Sequence, residues 1–209
     1  MVLQTGDRHR SVSRAAQASG FLVMNLPNKL TVSRLWLTAG FVCCISIGGI
    51  PARFTIALVV FLAATVTDYL DGVIARRRGL ITDFGKLADP LADKILTASA
   101  FISLCAIGRF PAWAVIVIVS REFLITGLRS LAASKGIVVP ADKLGKHKTA
   151  WQMITIIYFL LLLAVGEWDS SPGPAWEIGA HGLIAVTVIL TVYSGAAYLA
   201  KNRALIRSD

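Results

Sequence analysis

Residues 54–107 read FTIALVVFLAATVTDYLDGVIARRRGLITDFGKLADPLADKILTASAFISLCAI. Two apolar runs, about Phe54 to Ala75 and about Leu87 to Ile107, flank a basic turn. Each is long enough to cross a bilayer core, which takes roughly 17–25 mostly apolar residues. Yet Asp68, Asp71, Asp89 and Asp93 stand at or beside these runs. An Asp at the centre of a spanning helix costs about 2.5–3.5 kcal/mol on insertion scales. Near a helix end the cost is smaller, but four carboxylates together repel one another and must share something positive. Asp68 and Asp71 are i and i+3, and Asp89 and Asp93 are i and i+4, so each pair lies on one helical face. The turn, roughly Arg77 to Lys86, brings the two helices alongside as an antiparallel hairpin, with both pairs at similar depth near one interface. The resulting cage of hard oxygen donors suits Mg²⁺ or Mn²⁺ and is unsuitable for soft-ligand metals. Four carboxylates exceed what one Mg²⁺ usually takes from protein, so two bridged ions are expected. Pairing with the local cations Arg76, Lys86 and Lys94 is the simpler alternative; it suits a single Asp at an interface, not four at helix-face spacing.

Small residues stand where a ligand needs room. Gly72 follows Asp71 inside a helical pattern, where Gly costs about 1 kcal/mol against Ala, and Gly85 precedes the third span. Either gives a backbone or ligand close approach; helix–helix packing explains Gly72 equally. Arg76, five residues past Asp71, is placed to reach a phosphate that also meets the metals.

The rest of the chain agrees with a membrane setting. Of its 209 residues 56% are hydrophobic and only 16% charged, with mean hydropathy +0.68 and formal net charge +9. A soluble domain carries about 25% charged residues, the apolar content excludes disorder, and a nucleic-acid binder this basic would not be this apolar. Further spans run about Leu30 to Gly48, Ala112 to Ala133, Thr149 to Val165 and Glu177 to Ala200, giving six. Helices are the spanning form, because lipid offers backbone groups no partners. The expected fold is an all-α integral membrane protein of six transmembrane helices. Residues 1–26 form a tail and interfacial amphipathic helix, residues 27–200 the six-helix domain, and residues 201–209 a second tail.

Orientation follows from Lys and Arg placement. Of 21 basic residues only Arg53 and Arg109 lie in or beside the loops after the first and third spans, and Arg121 falls mid-span. The loop after the fifth span carries Glu167, Asp169 and Glu177 instead. The other eighteen basic residues crowd the opposite side, so both termini are expected in the cytoplasm. The N-terminal stretch, Arg- and Ser-rich with Asp7 its one acid, reads as the interfacial helix, with an organellar transit peptide as the alternative. Cys43, Cys44 and Cys105 sit in apolar runs without metal spacing and read as inert core residues. Trp113, Trp168 and Trp176 near the outer span ends read as interfacial anchors.

Written as a pattern, the central stretch is Asp68-x2-Asp71-Gly72-x2-Ala75-Arg76-x8-Gly85-x3-Asp89-x3-Asp93. It resembles the signature of the CDP-alcohol phosphotransferase family in every defined position and spacing. Flanking residues narrow the likeness. Asn25-Leu26-Pro27-Asn28-Lys29-Leu30-Thr31-x2-Arg34, Thr82-Asp83-Phe84-Gly85-Lys86, Arg121-Glu122-x4-Gly127-Leu128-Arg129 and Gly145-Lys146-x-Lys148-Thr149-x2-Gln152 are similar to the bacterial phosphatidylglycerophosphate synthase branch. The likeness spans about residues 25–155, and the last span reads as generic. One departure is Ala88 immediately before Asp89, where the pattern has Leu; it is a packing difference.

The resemblance implies a six-helix membrane enzyme that needs a divalent metal, Mg²⁺ or Mn²⁺, as two ions. It implies transfer of a phosphatidyl group from CDP-diacylglycerol to sn-glycerol 3-phosphate, releasing CMP, at the cytoplasmic face of a bacterial inner membrane. Asp68, Asp71, Asp89 and Asp93 would hold metal, with Asp93 the catalytic base on the acceptor hydroxyl or, alternatively, a metal ligand only. Asn28, Thr31, Asp71, Gly72, Arg76 and Gly85 would bind the CDP donor. Asn28 reads equally well as a helix cap preceded by Pro27. Partners would be the two substrates and the lipid bilayer, with no nucleic acid, and a homodimer by family likeness.

The acceptor brings its own phosphate, which would explain further basic residues. Arg121 lies within the fourth span, where an unpaired Arg is costly, and Arg129 is eight residues on, near the same face. Lys146 and Lys148 precede the fifth span. These four are the expected acceptor-phosphate ligands; for Arg121 the plain alternative is an ion pair with Glu122. His147 between the two lysines offers a further phosphate contact. Three other readings remain: the same chemistry on inositol phosphate, serine or phosphatidylglycerol; a divalent-cation transporter; and a non-catalytic scaffold for anionic lipid.

Overall fold

A computed structural model describes residues 26–78, 83–135, 143–168 and 173–203, with side chains described outside 26–31, 70–78, 83–93, 143–144 and 146. Every element among the described residues is helical: α1 (Leu26–Ser46), α2 (Arg53–Arg78), α3 (Asp83–Ala106), α4 (Ala112–Ser134), α5 (Lys143–Trp168) and α6 (Pro174–Lys201). These match the six expected apolar runs and extend most of them by up to a turn or two. The expected N-terminal interfacial helix lies outside the described residues.

The helices run up and down. Glu167 near the end of α5 accepts hydrogen bonds from the backbone N–H groups of Phe54 (2.7 Å) and Thr55 (2.9 Å) at the start of α2, and from the Thr55 hydroxyl (2.8 Å). A helix N-terminus leaves its first N–H groups without intrahelical partners, so a carboxylate from a neighbouring helix satisfies them and complements the helix dipole. Trp168 donates its indole N–H to the Thr55 hydroxyl beside it. Arg109, after α3, pairs with Glu177 at the start of α6 at 3.5 Å. The connections after α1, α3 and α5 therefore share one end of the bundle, as the Lys and Arg asymmetry requires.

Helix faces sort by spacing. Arg34, Thr38, Phe41 and Ile45 are the buried stripe of α1; Ala57, Phe61 and Ala64 are that of α2. The two stripes meet at Phe41 and Phe61, whose ring centroids are 5.6 Å apart. Among the described residues α1 packs against both α2 and α3, α3 also against α4 and α5, and α6 against α4 and α5. Among the described residues the two Asp-bearing helices share two neighbours, α1 and α5, since α2 packs against α5 as well. Between α5 and α6 runs a polar seam. Thr155 and Thr187 share a hydrogen bond of 2.7 Å, and Lys148, Gln152, Thr191 and Ser194 are buried beside them. In an apolar medium such bonds hold helices together where hydrophobicity cannot.

Two helical segments, residues 147–168 and Pro174–Lys201, are long and apolar enough by composition to cross a membrane. Shorter apolar stretches are Val32–Ser46 in α1 and Lys94–Ala106 in α3. The charges that interrupt α1 to α4 are the ones the sequence singles out: Arg34, Asp68, Lys94, Arg121 and Glu122 among them. Cys43 is exposed on α1, away from the stripe of Phe41 and Ile45, and Cys44 and Cys105 are half-buried. All three are free thiols, and the expectation that Cys43 is a core residue is corrected: it stands on the outward face of an apolar helix. Trp113, Trp168 and Trp176 are exposed, as interfacial anchors would be.

Candidate active site

The Asp pairs sit on regular helix. α2 continues through 68 and 71, and α3 through 89 and 93, so the spacings i, i+3 and i, i+4 keep each pair on one face. Asp68 is half-buried and forms an ion pair with Arg34 of α1 at 2.6 Å. Arg34 is 1% exposed, so it is no surface counter-ion. Sequence reasoning looked for cations on the same two helices and missed one on a third; the signal was Arg34 itself, charged in the opening turns of an apolar run. The side chains of Asn28, Thr31, Asp71, Gly72, Arg76, Gly85, Asp89, Asp93 and Lys146 lie outside the described residues, although all nine positions are helical. Among the described residues no group of three or more acidic, His or Cys side chains gathers. Carboxylate oxygens are the hard donors a divalent cation takes, and the one described member, Asp68, is accessible while paired with Arg34.

A second cluster is described in full. A cavity of about 440 Å³ opens between α3, α4, α5 and α6. Arg121, Arg129, Lys148 and Lys94 line it, together with Glu122, Thr126, Gly145, Ser194 and Tyr198. Three of the four expected acceptor-phosphate ligands therefore share one chamber. Among the described residues its α3 wall is Lys94, the residue after Asp93.

Glu122 organises this chamber. Its carboxylate pairs with Lys148, with Arg121 at 3.1 Å and with Lys94 at 3.4 Å. The sequence anticipates the arginine pair alone. Lys94, a candidate partner for the Asp cluster, pairs with Glu122. One carboxylate against three cations leaves the chamber net positive, and Arg129 lines it with no ion pair among the described residues. Lys148 is 3% exposed, a position a lone ammonium would not hold without its carboxylate. His147 is exposed and is not among the cavity residues.

The last helix contributes more than the sequence suggests. Arg121 donates from Nη2 to the Ser194 hydroxyl at 3.2 Å. Tyr198, one turn further on, is 4% exposed, and its buried hydroxyl has no hydrogen-bond partner among the described residues. A buried polar group without a partner costs free energy, and this one borders a polar cavity. The readable signal was the spacing Thr187, Thr191, Ser194 and Tyr198, a polar stripe on one face of an otherwise apolar span.

Comparison with known proteins identifies the family. The CDP-alcohol phosphatidyltransferase family model matches residues 24–193. The chain is 40% identical over 191 residues to a Bacillus subtilis protein named CDP-diacylglycerol–glycerol-3-phosphate 3-phosphatidyltransferase, covering 86% of this chain and 96% of that one. It is 36% identical over 181 residues to a probable phosphatidylglycerophosphate synthase of Mycobacterium tuberculosis, covering 86% and 82%. A Rickettsia felis protein with the same name as the Bacillus one is 35% identical over 175 residues, covering 83% and 93%. The family match takes in α2 and α3, which carry the carboxylates, and all of the basic chamber except Ser194 and Tyr198; this chain belongs to the CDP-alcohol phosphatidyltransferase family.

Proposed function

We propose that this protein transfers the phosphatidyl group of CDP-diacylglycerol to a hydroxyl of sn-glycerol 3-phosphate, giving phosphatidylglycerol phosphate and CMP. The observation that carries this reading is the basic chamber beside α3: Arg121, Arg129, Lys148 and Lys94 around one cavity. An acceptor without a phosphate, such as serine, would not require this many cations. The names of the relatives favour glycerol 3-phosphate among acceptors that carry a phosphate.

In this reading Asp68, Asp71, Asp89 and Asp93 hold two divalent ions, Mg²⁺ or Mn²⁺. When bound, these ions neutralise the pyrophosphate of the donor and the charge that develops as CMP leaves. Arg76 adds charge-assisted hydrogen bonds to the donor phosphates. Asn28 and Thr31 of α1, with Gly72 and Gly85, shape the cytidine pocket. Arg121, Arg129, Lys146 and Lys148 grip the acceptor phosphate, with Glu122 fixing Arg121 and Lys148 in place. Tyr198 supplies a further hydrogen bond there. Asp93 takes the proton of the attacking hydroxyl as its oxygen bonds to the lipid-bearing phosphorus, and the bond from that phosphorus to the CMP oxygen breaks. The chemistry gains from positioning, since the two substrates are held against one helix, α3.

In this reading six spans with both termini in the cytoplasm put these charges at the cytoplasmic face of a bacterial membrane. A homodimer belongs to this reading as family likeness. The test is CMP release by the purified chain given Mg²⁺, CDP-diacylglycerol and each acceptor in turn. Glycerol 3-phosphate is expected to drive it, and inositol phosphate, serine and phosphatidylglycerol are not. Absence of CMP with glycerol 3-phosphate overturns the reading, and Mg²⁺ flux into vesicles without CDP-lipid supports a transporter instead.

A further inference from the structure

We infer that Arg34 is a positioning residue for the metal ligand Asp68, holding one carboxylate oxygen so that the other is presented to the ion. The inference rests on the reading of Asp68 as a ligand. It follows from helix register. α1 and α2 are antiparallel neighbours whose core stripes touch at Phe41 and Phe61. Arg34 precedes Phe41 by two turns, and Asp68 follows Phe61 by two turns. At about 1.5 Å per residue both lie the same distance from the ring contact, toward the same end. The stripe Ala57, Phe61 and Ala64 reaches Asp68 at its next step, as the stripe Ile45, Phe41 and Thr38 reaches Arg34.

The ion pair is short. Nη2 of Arg34 lies 2.6 Å from Oδ1 of Asp68, a close contact of opposite charges. The two side chains differ sharply in exposure, 1% for Arg34 against 42% for Asp68. The guanidinium is thus fixed in the core, and the carboxylate projects from it toward the accessible side. Arg34 is also anchored at its backbone, where its carbonyl accepts the Thr38 hydroxyl at 2.9 Å. Among the described residues Oδ2 of Asp68 has no donor. A free Asp on an interfacial helix samples several rotamers, whereas one tethered through Oδ1 has its second oxygen aimed. Partners of this kind orient metal ligands, and their loss typically lowers metal affinity 10–100-fold.

The experiment uses the full chain purified in detergent, with Mn²⁺ as the probe and free Mn²⁺ followed by electron paramagnetic resonance, without lipid substrate. R34Q is expected to weaken Mn²⁺ binding about 10–100-fold. R34K is expected to weaken it in the same direction, because an ammonium keeps the charge but not the planar fork. It keeps the test alive where loss of the charge unfolds the chain, which thermal unfolding in detergent reports. The double variant R34Q/D68N is expected to bind no worse than D68N alone, as for a residue acting through its partner. If R34Q and R34K bind Mn²⁺ like the unsubstituted chain while D68N does not, the positioning role is overturned and the metal reading stands. If R34Q and D68N losses multiply, Arg34 acts elsewhere and the inference also fails. If D68N leaves Mn²⁺ affinity unchanged, Asp68 is no ligand and the inference falls with that reading.

Discussion

Gly195 leaves the space that the stem of Arg121 fills: a Cβ built on Gly195 stands 3.1 Å from the Arg121 Cγ and 3.8 Å from its Nε. A mid-helix Gly costs about 1 kcal/mol against Ala, so a structural reason for it is expected, and this contact is one. Gly195→Ala is expected to shift Arg121 slightly, and Gly195→Val to push it off Ser194. The acceptor KM of Gly195→Val should rise about tenfold or more, the worth of about 1.4 kcal/mol, with the KM for CDP-diacylglycerol little changed. Steady-state CMP release with each substrate varied separately reads this split.

Glu122 carries three cations, so its removal should cost more than any one pair. Glu122→Gln leaves Lys94, Arg121 and Lys148 facing one another, with Lys148 nearly out of water. Breaking a buried pair from one side costs about 3–5 kcal/mol; here the half-open chamber brings the expectation to its lower end. Thermal unfolding in detergent should fall for Glu122→Gln. It should recover in part when Lys148→Met is added, because the second change removes the stranded charge.

Asp93→Asn should abolish turnover while the fold survives. General-base catalysis contributes about 10²–10⁴-fold, so residual CMP release should fall by at least that range. Unfolding temperature should stay within a few degrees of the unsubstituted chain. Retained turnover would remove Asp93 from the catalytic step.

The cap on α2 can be tested apart from the chemistry. Glu167→Ala removes acceptors from two backbone N–H groups and the Thr55 hydroxyl. A lost N-terminal cap costs about 0.5–2 kcal/mol. Stability should drop by that order, and the KM for glycerol 3-phosphate should not move, since Glu167 sits at the end of the bundle opposite the basic chamber.

How much of this was readable from residues alone depends on whether the signal is local. The six helices were legible because each is a long apolar run, and the Asp pairs because i, i+3 and i, i+4 are helical spacings. The basic cluster was legible because Arg121 within an apolar run is costly. Arg34 with Asp68, and Glu122 with Lys94 and Lys148, were not, since each pairing joins helices distant in sequence and depends on register. Ser194 and Tyr198 passed as generic because a hydroxyl in an apolar span costs little, and only packing against Arg121 and the chamber gives them meaning. The expectation of a buried Cys43 erred for a related reason: in a membrane helix apolar residues face lipid as readily as core, so composition does not tell the two apart.

α3 is a party wall. On one side it packs against α1, which reaches the first Asp pair through Arg34; on the other it meets α4 and α5, which build the basic chamber. Asp93 and Lys94 are successive residues of that wall. Two tenants sharing one wall can be refurnished separately. Because α5 also packs against α2 and caps it through Glu167, the exchange that should change the accepted alcohol is of the chamber-lining residues of α4 to α6 between relatives, with the α2-facing side of α5 kept.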